Sequence, residues 1–201
     1  MKRLFGTDGI RSVAGQFPLD RPTVQSLGRE LIRLLEGEGL EPRILIGRDT
    51  RESGPWIQKT LASGVESAGG EVVSAGIVPT SAVSFLTRKH RFSAGAVISA
   101  SHNPYRDNGI KFFSSEGIKI SDEWEQRLEK AILDGKRKTA PLKKGKMVNL
   151  GAELIDEYED FLFAQLRKAR VPDNLTVILD CSNGASSDIA PAVFFRLGFR
   201  V

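Results

Sequence analysis

The sequence predicts an α/β protein: a three-layer α/β/α sandwich on a mixed, mainly parallel sheet, followed by the start of a second, similar domain. Three observations support this. Short, nearly continuous apolar runs alternate with amphipathic helical segments, the pattern of parallel strands covered on both faces. One pair of runs is joined by a connection too short for a crossover helix, which makes that pair antiparallel. A last strand–turn–helix unit begins near residue 172 and is followed by only a few residues, too few to enclose a core.

The elements follow in order. Asp20 can cap a helix with Pro22 in its first turn, and Val24, Leu27, Leu31, Leu34 and Leu35 recur at helical spacing before Gly37 and Gly39 end it. "RILIG" (43–47) is a buried strand and "RDTRESG" a polar turn. Ser53 can cap the next helix, whose Ile57, Leu61, Val65 and Ala68 share a face up to Gly69-Gly70. "EVVSAG" is a strand, 80–89 a helix and "AGAVISA" (94–100) the most apolar strand. "SHNPYRDNG" then leads directly into "IKFF" (110–113), the antiparallel pair. Ser121 caps a helix with Asp122 and Glu123 in its first turn, where acidic groups suit the helix dipole, and Trp124, Leu128 and Ile132 form its buried stripe. A helix over about 152–169 carries Leu154, Tyr158, Phe161, Leu162 and Leu166 and ends before Pro172. "LTVILD" (175–180) reads as a strand, followed by "CSNGASS", a helix through Phe195, and a strand beginning at "GFRV". The expected domains are 1–150, a linking helix over 151–171, and a truncated second domain over 172–201.

Composition narrows the function classes. With 40% hydrophobic and 27% charged residues among 201, the chain has the make-up of an ordinary globular protein. Its single cysteine, Cys181, excludes an internal disulfide framework and fits a reducing cytoplasm. With two histidines and one cysteine, a structural zinc site is not expected. No run approaches the roughly 20 apolar residues of a membrane span, and "MKRLFGTDGIRS" breaks too early for a signal-peptide core. The net charge of +4 owes much to "GKRKTAPLKKGKM" (135–147), which lacks interleaved aromatics and reads as a solvated loop rather than a nucleic-acid patch.

Chemistry concentrates in four polar turns expected at or near the carboxyl ends of strands, where open α/β sheets bind ligands: "GTDGIRS" (6–12), "GRDTRESG" (47–54), "SASHNPYRDNG" (99–109) and "CSNGAS" (181–186). Each combines glycine with hydroxyls or amides, and several add arginine, groups suited to phosphate oxygens. Ser101 lacks the "G-x-S-x-G" elbow of a hydrolase, and as a sequence neighbour its side chain is expected to diverge from that of His102. There is no P-loop. A serine after a buried strand, with Lys111 returning on the next, suits covalent phosphoryl transfer.

"SASHNPYRDNGIKFF" resembles the phosphoserine-loop signature of the α-D-phosphohexomutases, and "FGTDGIR" resembles that family's opening motif. "IGRDTRESG", "PTSAVSFL" and "DCSNGAS" resemble further family segments in the expected order, so the resemblance spans nearly the whole chain. Members acting on glucosamine phosphates match best. Members acting on mannose phosphates more usually open differently before "IRG" and carry Thr where Ser99 stands.

The resemblance implies that Ser101 holds a transferable phosphate whose oxygen is also a ligand to Mg²⁺. It further implies that Lys111 transfers a proton at the sugar hydroxyl, that Arg11 faces the phosphate, and that His102 supports the loop, a turn-capping role being equally open. The implied reaction interconverts glucosamine 6-phosphate and glucosamine 1-phosphate through a 1,6-bisphosphate. The family's "DGDxDR" metal loop, sugar-recognition loop and distal phosphate-binding loop do not occur, so an amino-terminal fragment, inactive alone, is expected. Alternatives are a member acting on mannose or glucose phosphates, or a non-catalytic domain binding a sugar phosphate or a partner. The expected partner is a hexosamine phosphate, with neither nucleic acid nor membrane.

Overall fold

The computed structural model describes residues 4–134, 145–167 and 175–201. Along the chain run β1 (Ile10–Val13), α1 (Arg21–Gly37), β2 (Arg43–Arg48), α2 (Gly54–Ser67), β3 (Glu71–Ile77) and α3 (Thr80–Lys89). Then follow β4 (Ala94–Ile98), β5 (Asp107–Ser114), α4 (Asp122–Leu133), β6 (Lys146–Asn149), α5 (Gly151–Leu166) and α6 (Ile189–Arg196). The strands form one sheet in the order β1-β5-β4-β2-β3-β6. β2 runs parallel to β3 and β4, and β3 parallel to β6, while β5 is antiparallel to both β4 and β1. The expected reversal at "IKFF" is therefore present.

Strand alternation divides the core in two. Ile44 and Ile46 of β2 face the layer of α1, α2 and α4, and Leu45 between them faces α3 and α5. Phe112 and Phe113 of β5 part in the same way. Both faces are thus covered, giving three layers. α1 and α2 touch through glycines: Gly28 lies against the Leu61 carbonyl and Gly64 against the Gln25 carbonyl, leaving no space for a Cβ at either position.

Capping sites fall largely where the sequence puts them. Asp20 accepts from the Thr23 amide at 3.0 Å and Ser121 from the Trp124 amide at 3.3 Å. Ser53 does not cap α2. Its backbone is already helical, and its Oγ accepts a 2.8 Å bond from Asn108 Nδ2 instead. Two strands lay hidden in polar turns. Ile10–Val13 pairs with β5, and Lys146–Asn149, at the end of the basic stretch, pairs with β3. The rest of that stretch, 135–144, lies outside the described residues, as does the expected helix end at 168–169. At 175–180 the expected strand is reduced to a bridge between Thr176 and Arg200.

α5 is fastened to α3 by His90–Glu157 at 2.6 Å, Ser81–Tyr158 at 2.7 Å and a stacked Phe85–Phe161 pair. α6 adds Ile189 and Val193 to the same core and ties Arg196 to Asp160 at 2.7 Å.

Glu125 of α4 is buried, 3.2 Å from Lys119. Burial pushes its carboxyl above the ordinary 4.5, against the opposing pull of Lys119. The folded state therefore holds this proton more tightly than the unfolded chain. Its contribution is greatest below about 4.5 and declines as pH rises through the elevated folded value. Glu125→Gln should remove that decline. Urea midpoints of the two proteins, measured from mildly acid to neutral pH, should converge or cross as pH rises, in favour of the variant. A constant offset across that range would refute the assignment.

Candidate active site

β4 is buried along its whole length and ends at Ile98, delivering the chain to the carboxyl edge of β2, β3 and β4. The turn 99–106 reverses it into β5. Several short bonds shape this turn: Ser99 N to Gly109 O at 3.0 Å, Asn103 N to Ala100 O at 3.0 Å, and Asp107 N to Pro104 O at 2.9 Å. Ser101 is exposed at its tip with φ of 54°, a left-handed conformation that costs a non-glycine residue on the order of 1–3 kcal/mol. Such a backbone persists only where neighbours hold it. Ser99 Oγ accepts from the Ser101 amide at 3.0 Å.

The main holder is Arg51, from the polar turn "GRDTRESG". It is buried, and its guanidinium turns into the serine turn. Nη2 donates to the Ser101 and Asn103 carbonyls, both at 2.9 Å, and Nη1 to those of Pro104 at 2.8 Å and Asp107 at 3.0 Å. Nε bonds the Asp49 carboxylate at 3.1 Å. All five N–H groups are occupied. The 47–54 loop supports the same turn at its ends: Tyr105 donates to Glu52 at 2.8 Å, and the buried Asn108 donates to Ser53. Thr50 reaches the other way, donating to the Asn183 carbonyl at 2.8 Å.

Lys111 stands opposite Val97, the penultimate residue of β4, and Arg11 opposite Gly109. Asp8 joins the two cations, lying 2.6 Å from Lys111 Nζ and 3.0 Å from Arg11 Nη2. The Lys111 hydrogen bond, helped by the charges of Lys111 and Arg11, holds the Asp8 carboxyl below the usual aspartate range despite some burial. Gly109 links this cation pair to the turn. A Cβ there would strike the Ile10 and Ser99 carbonyl oxygens and crowd Arg11 Cγ, Ser99 being two residues from Ser101. Arg11 pairs with Gly109, whose carbonyl accepts from the Ser99 amide at 3.0 Å, so Arg11 and the serine turn lie toward the same edge of the sheet. His102 is exposed, with Nδ1 3.4 Å from Ser101 Oγ. The expected divergence of these neighbours is not observed, because the left-handed twist at Ser101 brings its side chain round to the ring.

An open groove of about 1060 Å³ runs between the amino-terminal segment and α4, sharing Asp8 and Arg11 with this site. Its other charged lining is Lys119 with Asp122, Glu125 and Glu129, an acidic excess that disfavours phosphate, and Ser101 is not part of it.

A three-layer α/β domain thus presents an exposed, backbone-pinned serine and a pair of cations joined by Asp8. A family profile described as phosphoglucomutase/phosphomannomutase, alpha/beta/alpha domain I, matches residues 2–139. The chain belongs to this family. It is 45% identical over 202 residues to a phosphoglucosamine mutase of Koribacter versatilis, covering 98% of this chain and 43% of that protein. A phosphoglucosamine mutase of Deinococcus deserti is 45% identical over 205 residues, covering 100% and 45% respectively. The chain therefore spans less than half the length of these relatives. Among solved structures, a phosphoglucomutase/phosphomannomutase family protein of Burkholderia thailandensis superposes with a TM-score of 0.83 at 27% identity, over 98% of this chain and 42% of that one. A phosphomannomutase-like protein of Thermus thermophilus gives 0.78 at 26%, over 98% and 44%.

Proposed function

We propose that the chain supplies the phosphate-carrying part of a mutase that interconverts glucosamine 6-phosphate and glucosamine 1-phosphate. The observation behind this is Ser101, exposed and held in a strained backbone conformation beside the Arg11–Lys111 pair. In the forward half-reaction the sugar's 1-hydroxyl oxygen attacks phosphorus on phospho-Ser101. The new O–P bond forms as the Ser101 Oγ–P bond breaks, and Lys111 manages the proton that the hydroxyl loses. The 1,6-bisphosphate then reorients, and Ser101 Oγ takes back the 6-phosphoryl group, releasing the 1-phosphate. Arg11 offsets phosphate charge, and His102 supports the serine side chain at its 3.4 Å contact.

Mg²⁺ would neutralise charge between phosphoryl groups when bound. Among the described residues no group of three or more His, Cys, Asp or Glu side chains could hold a metal ion. Ser101 would contribute only a phosphate oxygen, so these residues do not by themselves make a metal site. The region from 172 onward is read as the start of a second domain, in keeping with the parallel Thr176–Arg200 bridge. Among the described residues no helix is long and apolar enough to cross a membrane. A cytoplasmic setting, with a soluble hexosamine phosphate as partner rather than nucleic acid or membrane, completes the reading.

The test is phosphorylation of the chain by glucosamine 1,6-bisphosphate, followed by intact mass and peptide mapping. One phosphoryl group should appear on Ser101 and none on Ser101→Ala. Undiminished labelling of Ser101→Ala, or phosphate mapped elsewhere, would overturn the proposal.

A further inference from the structure

We propose that Arg51 is a positioning residue that aims the Ser101 hydroxyl for phosphoryl transfer without touching phosphate itself; the proposal rests on the reading of Ser101 as the phosphate carrier. Two observations lead to it. First, Arg51 has no donor to spare: four of its N–H groups go to main-chain carbonyls of one turn, and the fifth to Asp49. A guanidinium so occupied cannot also bind a phosphate, unlike the cations Arg11 and Lys111. Second, the Ser101 residue is pinned on both sides. Its N–H is held by Ser99 Oγ at 3.0 Å and its C=O by Arg51 Nη2 at 2.9 Å. With both flanking peptides fixed and φ at 54°, the direction of Cα–Cβ is fixed, and Oγ is left only the rotation about that bond.

The physical need for arginine follows from the acceptors. The carbonyls of Ser101, Asn103, Pro104 and Asp107 converge on one buried centre, and their dipoles repel one another unless a cation stands there. A planar fork with five N–H donors in fixed directions can satisfy all four and still engage Asp49, which balances its charge. An ammonium has three donors. Lys at this position keeps the charge and leaves at least one carbonyl unpaired. The turn then relaxes toward ordinary φ at Ser101, and Oγ swings off line. Misplacement of a reacting group by about 1 Å costs on the order of 10²-fold in rate.

In the step under test Ser101 Oγ attacks a phosphorus of glucosamine 1,6-bisphosphate. The Oγ–P bond forms, the sugar O–P bond breaks, and the serine proton ends on the departing sugar oxygen. The experiment follows the rate of this phosphorylation in the 201-residue chain, as a function of bisphosphate concentration, for the unsubstituted protein, Arg51→Lys and Arg51→Ala. Arg51→Lys should lower the maximal rate on the order of 10²-fold while the half-saturating bisphosphate concentration stays within about threefold. Added guanidinium should raise the rate of Arg51→Ala at least about tenfold, an effect added sodium should not reproduce. Should Arg51→Ala fail to fold, Arg51→Lys decides alone through its split between maximal rate and half-saturation.

An Arg51→Lys rate close to that of the unsubstituted chain, or a loss confined to half-saturation, would overturn the positioning role while leaving Ser101 as the carrier. Absence of phosphorylation in the unsubstituted chain would overturn the carrier reading, and the positioning role with it.

Discussion

Gly64→Val should remove a large part of the domain's stability. A Cβ at Gly64 collides with the Gln25 carbonyl oxygen and lies 2.9 Å from its carbon, and Gly28 makes the reciprocal approach to Leu61. The obstacles are main-chain atoms of a packed helix, so no side chain can rotate aside. α1 and α2 would have to separate, dragging Leu27, Leu31, Leu61 and Val65 away from a core in which each is essentially inaccessible. Overpacking usually costs about 1–3 kcal/mol and more where backbone has to move. A loss of about 3–5 kcal/mol is expected here, against a typical domain stability of about 5–15 kcal/mol. Gly37→Ala is the control. Nothing lies within 4 Å of a Cβ at that position, and exchanging a helical glycine for alanine should be neutral or stabilising by up to about 1 kcal/mol. Urea unfolding followed by circular dichroism reads both. A Gly64→Val protein within 1 kcal/mol of the unsubstituted one would show that the helices are not locked at these glycines.

These 201 residues alone should turn over glucosamine 6-phosphate at least about 10³-fold more slowly than a full-length relative. Removing a single donor that stabilises transition-state charge costs about 10²–10³ in rate. The chain spans 43% to 45% of the relatives' length, and its described residues hold no cluster able to bind a metal ion. What it does hold is the serine turn and its cation pair. Losses from several missing groups compound without adding simply, because such groups act together. A coupled assay with Mg²⁺ and a trace of the bisphosphate measures the rate. Turnover near that of a full-length relative, lost on Ser101→Ala, would disprove the claim.

The layered fold was legible because burial on both faces of the sheet leaves apolar runs such as "RILIG" and "AGAVISA", and because helix periodicity survives in a single sequence. β6 was not. Its side chains are mostly exposed, and only backbone pairing to β3 makes "KMVN" a strand. β1, four residues long with only Ile10 buried, vanished into the glycine-rich turn before it. The site divides along a similar line. Ser101, His102, Lys111 and Arg11 could be singled out from sequence because their motifs are distinctive. Asp8 was quoted within "GTDGIR" without a role, and its position between two cations becomes visible only when β1 is paired with β5. Arg51 could not be understood from sequence at all, since its partners are carbonyl oxygens, which every residue carries. Gly28 and Gly64 did leave a signal. A glycine inside a helix costs roughly 1 kcal/mol relative to alanine, and two such residues on adjoining helices point to a close crossing.

Ser101 and Lys111 stand ten residues apart on a single β4–β5 hairpin, and both of its strands are interior to the sheet. β2 bonds one flank and β1 the other, while Arg51 fills the turn. Such a hairpin cannot slide or tilt without breaking two rows of hydrogen bonds. A mutase has to present opposite ends of the same sugar to one phosphate carrier. Under the function proposed above, Ser101 sits in a turn anchored by an interior hairpin, so the rotation between the two transfers falls to the sugar rather than to the serine.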